Sequence, residues 1–182
     1  MERIVFNNDN LSEELINETT AKVRAVIINS NHEVLLANYG GVYLFPGGTL
    51  EKGESIEETL IRELTEELGI EVTLKNGTPD LLVEQLIRNY PKRNNKGTTN
   101  RLMTTYYYVI HSDITSSEKT TLTEDEITDK FTTFQISLDN IQKLVLNNQS
   151  NNPRDQYFSR EILAVVEAVQ KSIGSNNVLK KD

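Results

Sequence analysis

GTLEKGESIEETLIRELTEELGI, residues Gly48 to Ile70, reads as a loop, a helix and a closing turn. Glycine punctuates the approach, and the whole segment GGVYLFPGGTLEKGE (Gly40–Glu54) is expected to be loop broken by a short strand. Ser55 followed three residues later by Glu58 is a capping-box pattern, and Gly69 is a natural stop, so a helix is predicted from about Ser55 to Leu68. Ile56, Leu60, Ile61, Leu64 and Leu68 form its apolar stripe. The stripe leaves Glu63, Glu66 and Glu67 unexplained. Acids near a helix C-terminus face partial negative charge and are disfavoured by roughly 0.3–1 kcal/mol each. Glu63 and Glu67 also stand four residues apart, where like charges repel by about 0.2–0.5 kcal/mol.

Positions i, i+3 and i+4 share a helix face, so the three glutamates converge beside the glycine loop while Leu64 and Leu68 point to the core. Hard oxygen donors on a rigid element suit Mg²⁺ or Mn²⁺, and a divalent cation turns their repulsion into coordination. A solvated acidic face is the plainer alternative for three glutamates taken alone.

Around this segment, LSEELINET (Leu11–Thr19) is expected to form a short helix, and VRAVII and EVLLA flank the turn signal Ser30-Asn31 as a hairpin. DLLVEQLIRNY and RLMTTYYYVI read as two strands joined by the polar loop PKRNNKGTTN. SSEKTTLTEDEITDK reads as an exposed acidic loop, and KFTTFQI as a further strand. SLDNIQKLVL and RDQYFSREILAVVEAVQKSI read as amphipathic helices. The irregular alternation implies a single α/β domain, residues 1–173, with a mixed sheet between helices, and a flexible tail over 174–182.

Nineteen basic against twenty-seven acidic residues give a net charge of −8, which argues against generic binding to nucleic acid or an anionic membrane. The absence of cysteine excludes disulfides, thiolate zinc sites and a cysteine nucleophile. No segment has signal-peptide or transmembrane character, so the expected location is the cytoplasm.

Gly48, Glu54, Arg62, Glu63, Leu64, Glu66, Glu67, Gly69 and Ile70 fill every specified position of the pattern G-x5-E-x7-R-E-U-x-E-E-x-G-U, where U is a bulky aliphatic. The segment therefore resembles the signature of the Nudix hydrolases, and Tyr43-Leu44-Phe45-Pro46-Gly47-Gly48 resembles the family's usual approach to it. The resemblance implies a loop–helix–loop on an α/β/α sandwich, with divalent metal held by the box acids. Carried over by position, Glu63, Glu66 and Glu67 are metal ligands, with the Gly47 carbonyl as a further donor. Arg62 orients Glu63, Glu54 supports the loop, and Gly47, Gly48 and Gly69 are backbone devices.

The activity implied is hydrolysis within the diphosphate of a nucleoside diphosphate linked to another moiety, with Mg²⁺ or Mn²⁺ as cofactor and metal-activated water as nucleophile. The general base varies across the family. Glu63 is one candidate, and an acid on the TEDEITD loop is the other; Glu126 fits best there, beside Glu124 and Asp125. Arg88, Lys92, Arg93, Lys96 and Arg101 cluster around one hairpin and are candidates to hold distal phosphates, with a solubilising loop as the alternative. Tyr43, Phe45 and Tyr90 are candidates to stack a base, whereas Tyr106, Tyr107 and Tyr108 read as strand residues on alternating faces. The family's markers for ADP-ribose and dinucleoside polyphosphates are a proline or a tyrosine beyond the box. Both are displaced here, to Pro79 and Tyr90, so the small-molecule nucleotide derivative is left open. A non-catalytic nucleotide-sensing domain is the rival reading, disfavoured by the intact box. The C-terminal helix is a candidate homodimer interface, its stripe equally explained by packing on its own sheet.

Overall fold

The computed structural model describes residues 1–74, 77–92, 96–114, 120–128, 130–148 and 153–178, with the side chains of 125, 126, 153, 154 and 174–178 outside the description. Strand β2 (Glu18–Ile28) organises the molecule. It runs parallel to β7 (Thr98–His111), in register from Glu18 opposite Arg101 to Ile28 opposite His111. Beyond β7 lie β6 (Leu81–Pro91), antiparallel, and β1 (Glu2–Phe6), parallel to β6. The other edge of β2 is divided. Lys22 to Arg24 pair with β5 (Gly47–Thr49), while Ile28 pairs with Val34 of β3 (Glu33–Tyr39). Strand β3 in turn pairs with β4 (Val42–Leu44) and β8 (Thr132–Ser137). The result is one mixed sheet, and the chain is an α/β/α sandwich.

The period-two alternation of β2 defines the layers. Val23, Ala25 and Ile27 pack with Tyr108 against Leu60, Leu64 and Leu68 of helix α1 (Ile56–Leu68). Val26 and Ile28 face the opposite layer, where α3 (Leu138–Asn147) contributes Ile141 and Val145 and α4 (Pro153–Val178) contributes Ile162 and Val165. The tyrosine run divides as its alternation requires: Tyr106 and Tyr108 pack on the α1 side, and Tyr107 is in the core below α4.

Several expectations need correction. ERIVF, to which the sequence reading assigns no element, is strand β1, paired parallel with β6. The expected helix over Leu11–Thr19 is one 3₁₀ turn, Glu13–Leu15; pairing with β7 claims the chain from Glu18 onward. The glycine-rich approach holds two short strands rather than one. The acidic loop contains a helical turn, α2 (Glu124–Thr128). Ile61 is 38% exposed and leaves the stripe, since Thr59 and Glu67 close the buried face instead. Helix α4 includes 174–178, which the sequence reading assigns to the tail. Among the described residues, no helix is long and apolar enough to cross a membrane.

Candidate active site

Helix α1 begins as its sequence requires. The Ser55 hydroxyl accepts from the Glu58 N–H at 3.2 Å and the Glu58 carboxylate accepts from the Ser55 N–H at 2.8 Å. Gly69 ends the helix in the left-handed conformation. Between the helix and β2 lies β5, with no room on either side. Gly47 has φ +124°, and a Cβ there would strike the Val23 carbonyl and Arg24 Cα. A Cβ on Gly48 would fall on the Glu63 carboxylate. At Gly47 only glycine lets the loop pass the β2 backbone, whereas a side chain at Gly48 would push the Glu63 carboxylate aside.

Glu67 is 1% exposed. Its Oε1 accepts from the Tyr39 hydroxyl, and its Oε2 accepts from the Gly47 N–H at 2.8 Å. Burial pushes its carboxyl up to about 7; the Tyr39 and Gly47 hydrogen bonds and the Arg24 charge pull it back, and Glu63 adds to the rise. Glu63 is also raised, first by burial, with Arg62 opposing and Glu66 assisting. Arg62 ties the group together. It donates to both carboxylate oxygens of Glu54 (2.7 and 3.0 Å), to Glu63 Oε1 (2.9 Å) and to Glu66 Oε2 (3.1 Å). Hydrogen bonds to that carboxylate, led by Arg62, hold the Glu54 carboxyl down at about 2. Glu54 thus braces the arginine that orients Glu63 and Glu66.

Beneath the loop, Arg24 is buried on β2 and donates through Nη1 to the Phe45 carbonyl and, at 3.1 Å, to the Gly47 carbonyl. Sequence reasoning missed Arg24 and Tyr39. A signal existed for Arg24, a lone cation inside the apolar run VRAVII. Tyr39 carries none, because its contact with Glu67 spans the hairpin and the helix.

The acids open onto a cleft of about 830 Å³. Gly47, Gly48, Arg62, Glu63, Glu66 and Glu67 line one end; Tyr90, Arg101, Met103 and Phe158 line the other, with Lys22 between. Arg101 lies 4.0 Å over the Tyr90 ring and pairs with Glu18, while its Nε, like Thr20 Oγ1, is buried without a hydrogen-bond partner. The chain before α2 reaches the site too: the Thr121 N–H donates to the Glu66 carbonyl at 2.8 Å, and Thr123 lines the cleft.

The other candidates divide. Phe45 is 1% exposed, edge-on to Tyr107 in the core, so it has no face to offer a base. Tyr43 packs edge-on against Phe134 and is absent from the cleft wall that its neighbours Val42 and Leu44 help form. Tyr90 is 3% exposed, its ring covered by Arg101. Arg88 is exposed on β6, away from the cleft lining. Arg93 lies outside the described residues; Glu126 is on α2, its side chain outside the description.

Among the described residues, no three acidic, histidine or cysteine side chains are already arranged as a metal cage, and Arg62 bridges Glu63 and Glu66. The donor chemistry nonetheless fits Mg²⁺ or Mn²⁺. Glu63, Glu66 and Glu67 bring hard oxygens to one end of the cleft, the Gly47 carbonyl lies beside them on Arg24, and two of the carboxyls bear a burial penalty that a cation would relieve.

The chain is 44% identical over 54 residues to an 8-oxo-dGTP diphosphatase of Proteus vulgaris, covering 26% of this chain and 48% of that protein. It is 42% identical over 59 residues to a CTP pyrophosphohydrolase of Escherichia coli (strain K12), covering 29% and 44%. The matched segments thus span less than half the length of these curated relatives. Among solved structures, the E. coli ORF135 protein is 21% identical, with a TM-score of 0.49 over 83% of this chain and 93% of that one. The MutT protein from Bacillus halodurans is 21% identical, with a TM-score of 0.47 over 69% and 72%. The NUDIX domain model matches residues 18–161, most of the chain, with the acid-bearing loop and helix inside that span. The chain belongs to the Nudix family.

Proposed function

We propose that the protein is a Mg²⁺- or Mn²⁺-dependent pyrophosphohydrolase that cleaves a phosphoanhydride bond in a nucleoside diphosphate derivative. The observation that supports this reading is that Glu63, Glu66, Glu67 and Gly47 line one end of a cleft whose other end is walled by Arg101, Met103 and Phe158. Glu63, Glu66, Glu67 and Gly47 would hold the ion. The chemistry supplied by the bound cation is charge neutralisation at the diphosphate and activation of water. Arg62, fixed by Glu54, keeps Glu63 in a single orientation by engaging Oε1, so that Oε2 is left to take the proton of the attacking water. Water adds to phosphorus, the bridging P–O bond breaks, and the leaving phosphate carries away the bond's electrons. Glu126 is the second candidate base, supported by the Thr121 contact that anchors its segment against Glu66.

Lys22 and Arg101 supply positive charge along the cleft for the remaining phosphates, and Phe158 and Met103 supply apolar surface for the nucleoside. The names of both curated relatives refer to a nucleoside triphosphate, which supports that class as the first to test. The test is turnover with Mg²⁺ of a panel of nucleoside triphosphates, oxidised nucleotides, ADP-ribose, nucleotide sugars, dinucleoside polyphosphates and coenzyme A, with products identified by mass. We expect a nucleoside monophosphate among the products; no turnover of any member counts against an enzyme.

A further inference from the structure

Glu161, on α4 and far in sequence from the box, is 4% exposed and belongs to none of the chemistry above. Its Oε1 accepts from the Tyr107 hydroxyl and its Oε2 from Gln85 Nε2, both at 2.5 Å. It sits on the apolar stripe of α4, among Ile162, Val165 and Val166. A carboxylate taken out of water needs a strong electrostatic reason.

Arg24 supplies that reason. Its guanidinium is buried, and its hydrogen bonds go to the Phe45 and Gly47 carbonyls rather than to a carboxylate. Burial opposes its charge, yet its pKa is raised, because Tyr107, Tyr39, Glu161 and Glu67 act on it together. The strand register places an acid on each side of it: Tyr107, the partner of Arg24 on β7, donates to Glu161, and Gly47, its partner on β5, donates through its N–H to Glu67. With a divalent ion held by Glu67, less of that acid's charge would be left to Arg24, and the guanidinium would be repelled by the added positive charge.

We infer that Glu161 is a positioning residue for the metal site: its buried charge holds Arg24 in place beneath the Phe45–Gly47 turn when a cation occupies the acids of α1. The inference rests on the metal-dependent reading given above. Glu161 neither touches the ion nor lines the cleft. It acts through Arg24, and removing its charge weakens the cation without disturbing a ligand. Glu161→Gln suits the test because Gln85 Oε1 is buried without a partner, so reversal of the Gln85 amide gives the new side-chain NH₂ an acceptor.

The experiment is Mn²⁺ binding to the full chain, followed by electron paramagnetic resonance of the free ion and by the Mn²⁺-dependent rise in melting temperature. Four variants are compared with the natural protein. Glu161→Gln is expected to bind Mn²⁺ on the order of tenfold more weakly, the size of effect that supporting residues around a metal usually show. Glu161→Asp and Tyr107→Phe keep the charge and are expected to bind Mn²⁺ clearly more tightly than Glu161→Gln. Glu67→Gln, a ligand, is expected to lose most of the binding. Natural affinity in Glu161→Gln overturns the inference, as does a loss in Glu161→Asp or Tyr107→Phe as large as that in Glu161→Gln. Should Glu161→Gln fail to fold, the two charge-retaining variants decide it: retention in both supports a charge role, and loss in either overturns it. Natural protein that binds no Mn²⁺, or binds it equally after Glu67→Gln, overturns the metal reading itself and this inference with it.

Discussion

Glu67 and Glu161 are two buried carboxylates with the same local chemistry and different prospects. Each accepts one tyrosine hydroxyl and one N–H, and each acts on Arg24. Glu67 adjoins Glu63 and opens to the cleft, whereas Glu161 is enclosed by β6, β7 and α4. Hydrogen-bond satisfaction therefore does not separate the proposed ligand from the proposed support. What separates them is a second acid nearby and a route to solvent. Burial, with a smaller push from neighbouring Glu63, raises the Glu67 carboxyl, and a cation entering from the cleft would relieve both.

The comparison can be broken hardest at Arg24, which both acids share. Arg24→Met leaves Glu67 and Glu161 buried without their common counter-charge, and we expect a loss of about 3–5 kcal/mol in denaturant unfolding. A loss under about 1 kcal/mol would mean that the acids do not depend on it. Next, Glu67→Gln should lower Mg²⁺-dependent turnover by roughly 10²-fold or more, given that a bound cation supplies several kcal/mol at about 1.4 kcal/mol per decade. The same substitution should erase most of the Mg²⁺-induced rise in melting temperature while leaving the metal-free protein folded. A smaller contrast lies between the tyrosines. Tyr39→Phe and Tyr107→Phe each remove a hydrogen bond to a buried carboxylate, at about 1.5–3 kcal/mol in EDTA. With saturating Mg²⁺ the Tyr39→Phe deficit should shrink, since the ion takes over part of the hydroxyl's role, and the Tyr107→Phe deficit should persist. Equal responses in calorimetry would erase the distinction between the two sites. Least of all, Ile61→Ser on the exposed side of α1 should change stability by no more than about 0.5 kcal/mol.

The sequence makes the box legible because its contacts are local. Ser55, Glu58, Arg62, the three acids and Gly69 meet within one helix, where spacing translates directly into geometry. Glu54, eight residues before Arg62, is placed by family pattern, and its bidentate bond gives that placement a physical basis. The residues that sequence reasoning misses act across elements. Arg24 reaches the turn opposite its strand, Tyr39 reaches Glu67 from β3, and Tyr107 reaches Glu161 on α4. Strand β1 is illegible for a similar reason, since only its partner β6 makes it a strand. The aromatics nominated for a base are more buried than the sequence suggests: Phe45 fills the core, and Tyr90, on the cleft wall, lies beneath Arg101. One signal is present in the sequence and easily passed over: Glu161 interrupts an otherwise apolar face of α4, and such interruptions merit the same attention as acids at a helix end.

The divided edge of β2 acts as a ruler. Arg24, beside Gly47, and Glu18, beside Arg101, stand on one straight strand. Six peptide units therefore separate the two ends of the cleft by about 20 Å, at roughly 3.3 Å per residue. Sliding β2 by one step against β7 would turn every side chain on it to the wrong layer. Evolution can consequently retune the walls of this trough by exchanging side chains, but it cannot lengthen or shorten the trough without rebuilding the sheet.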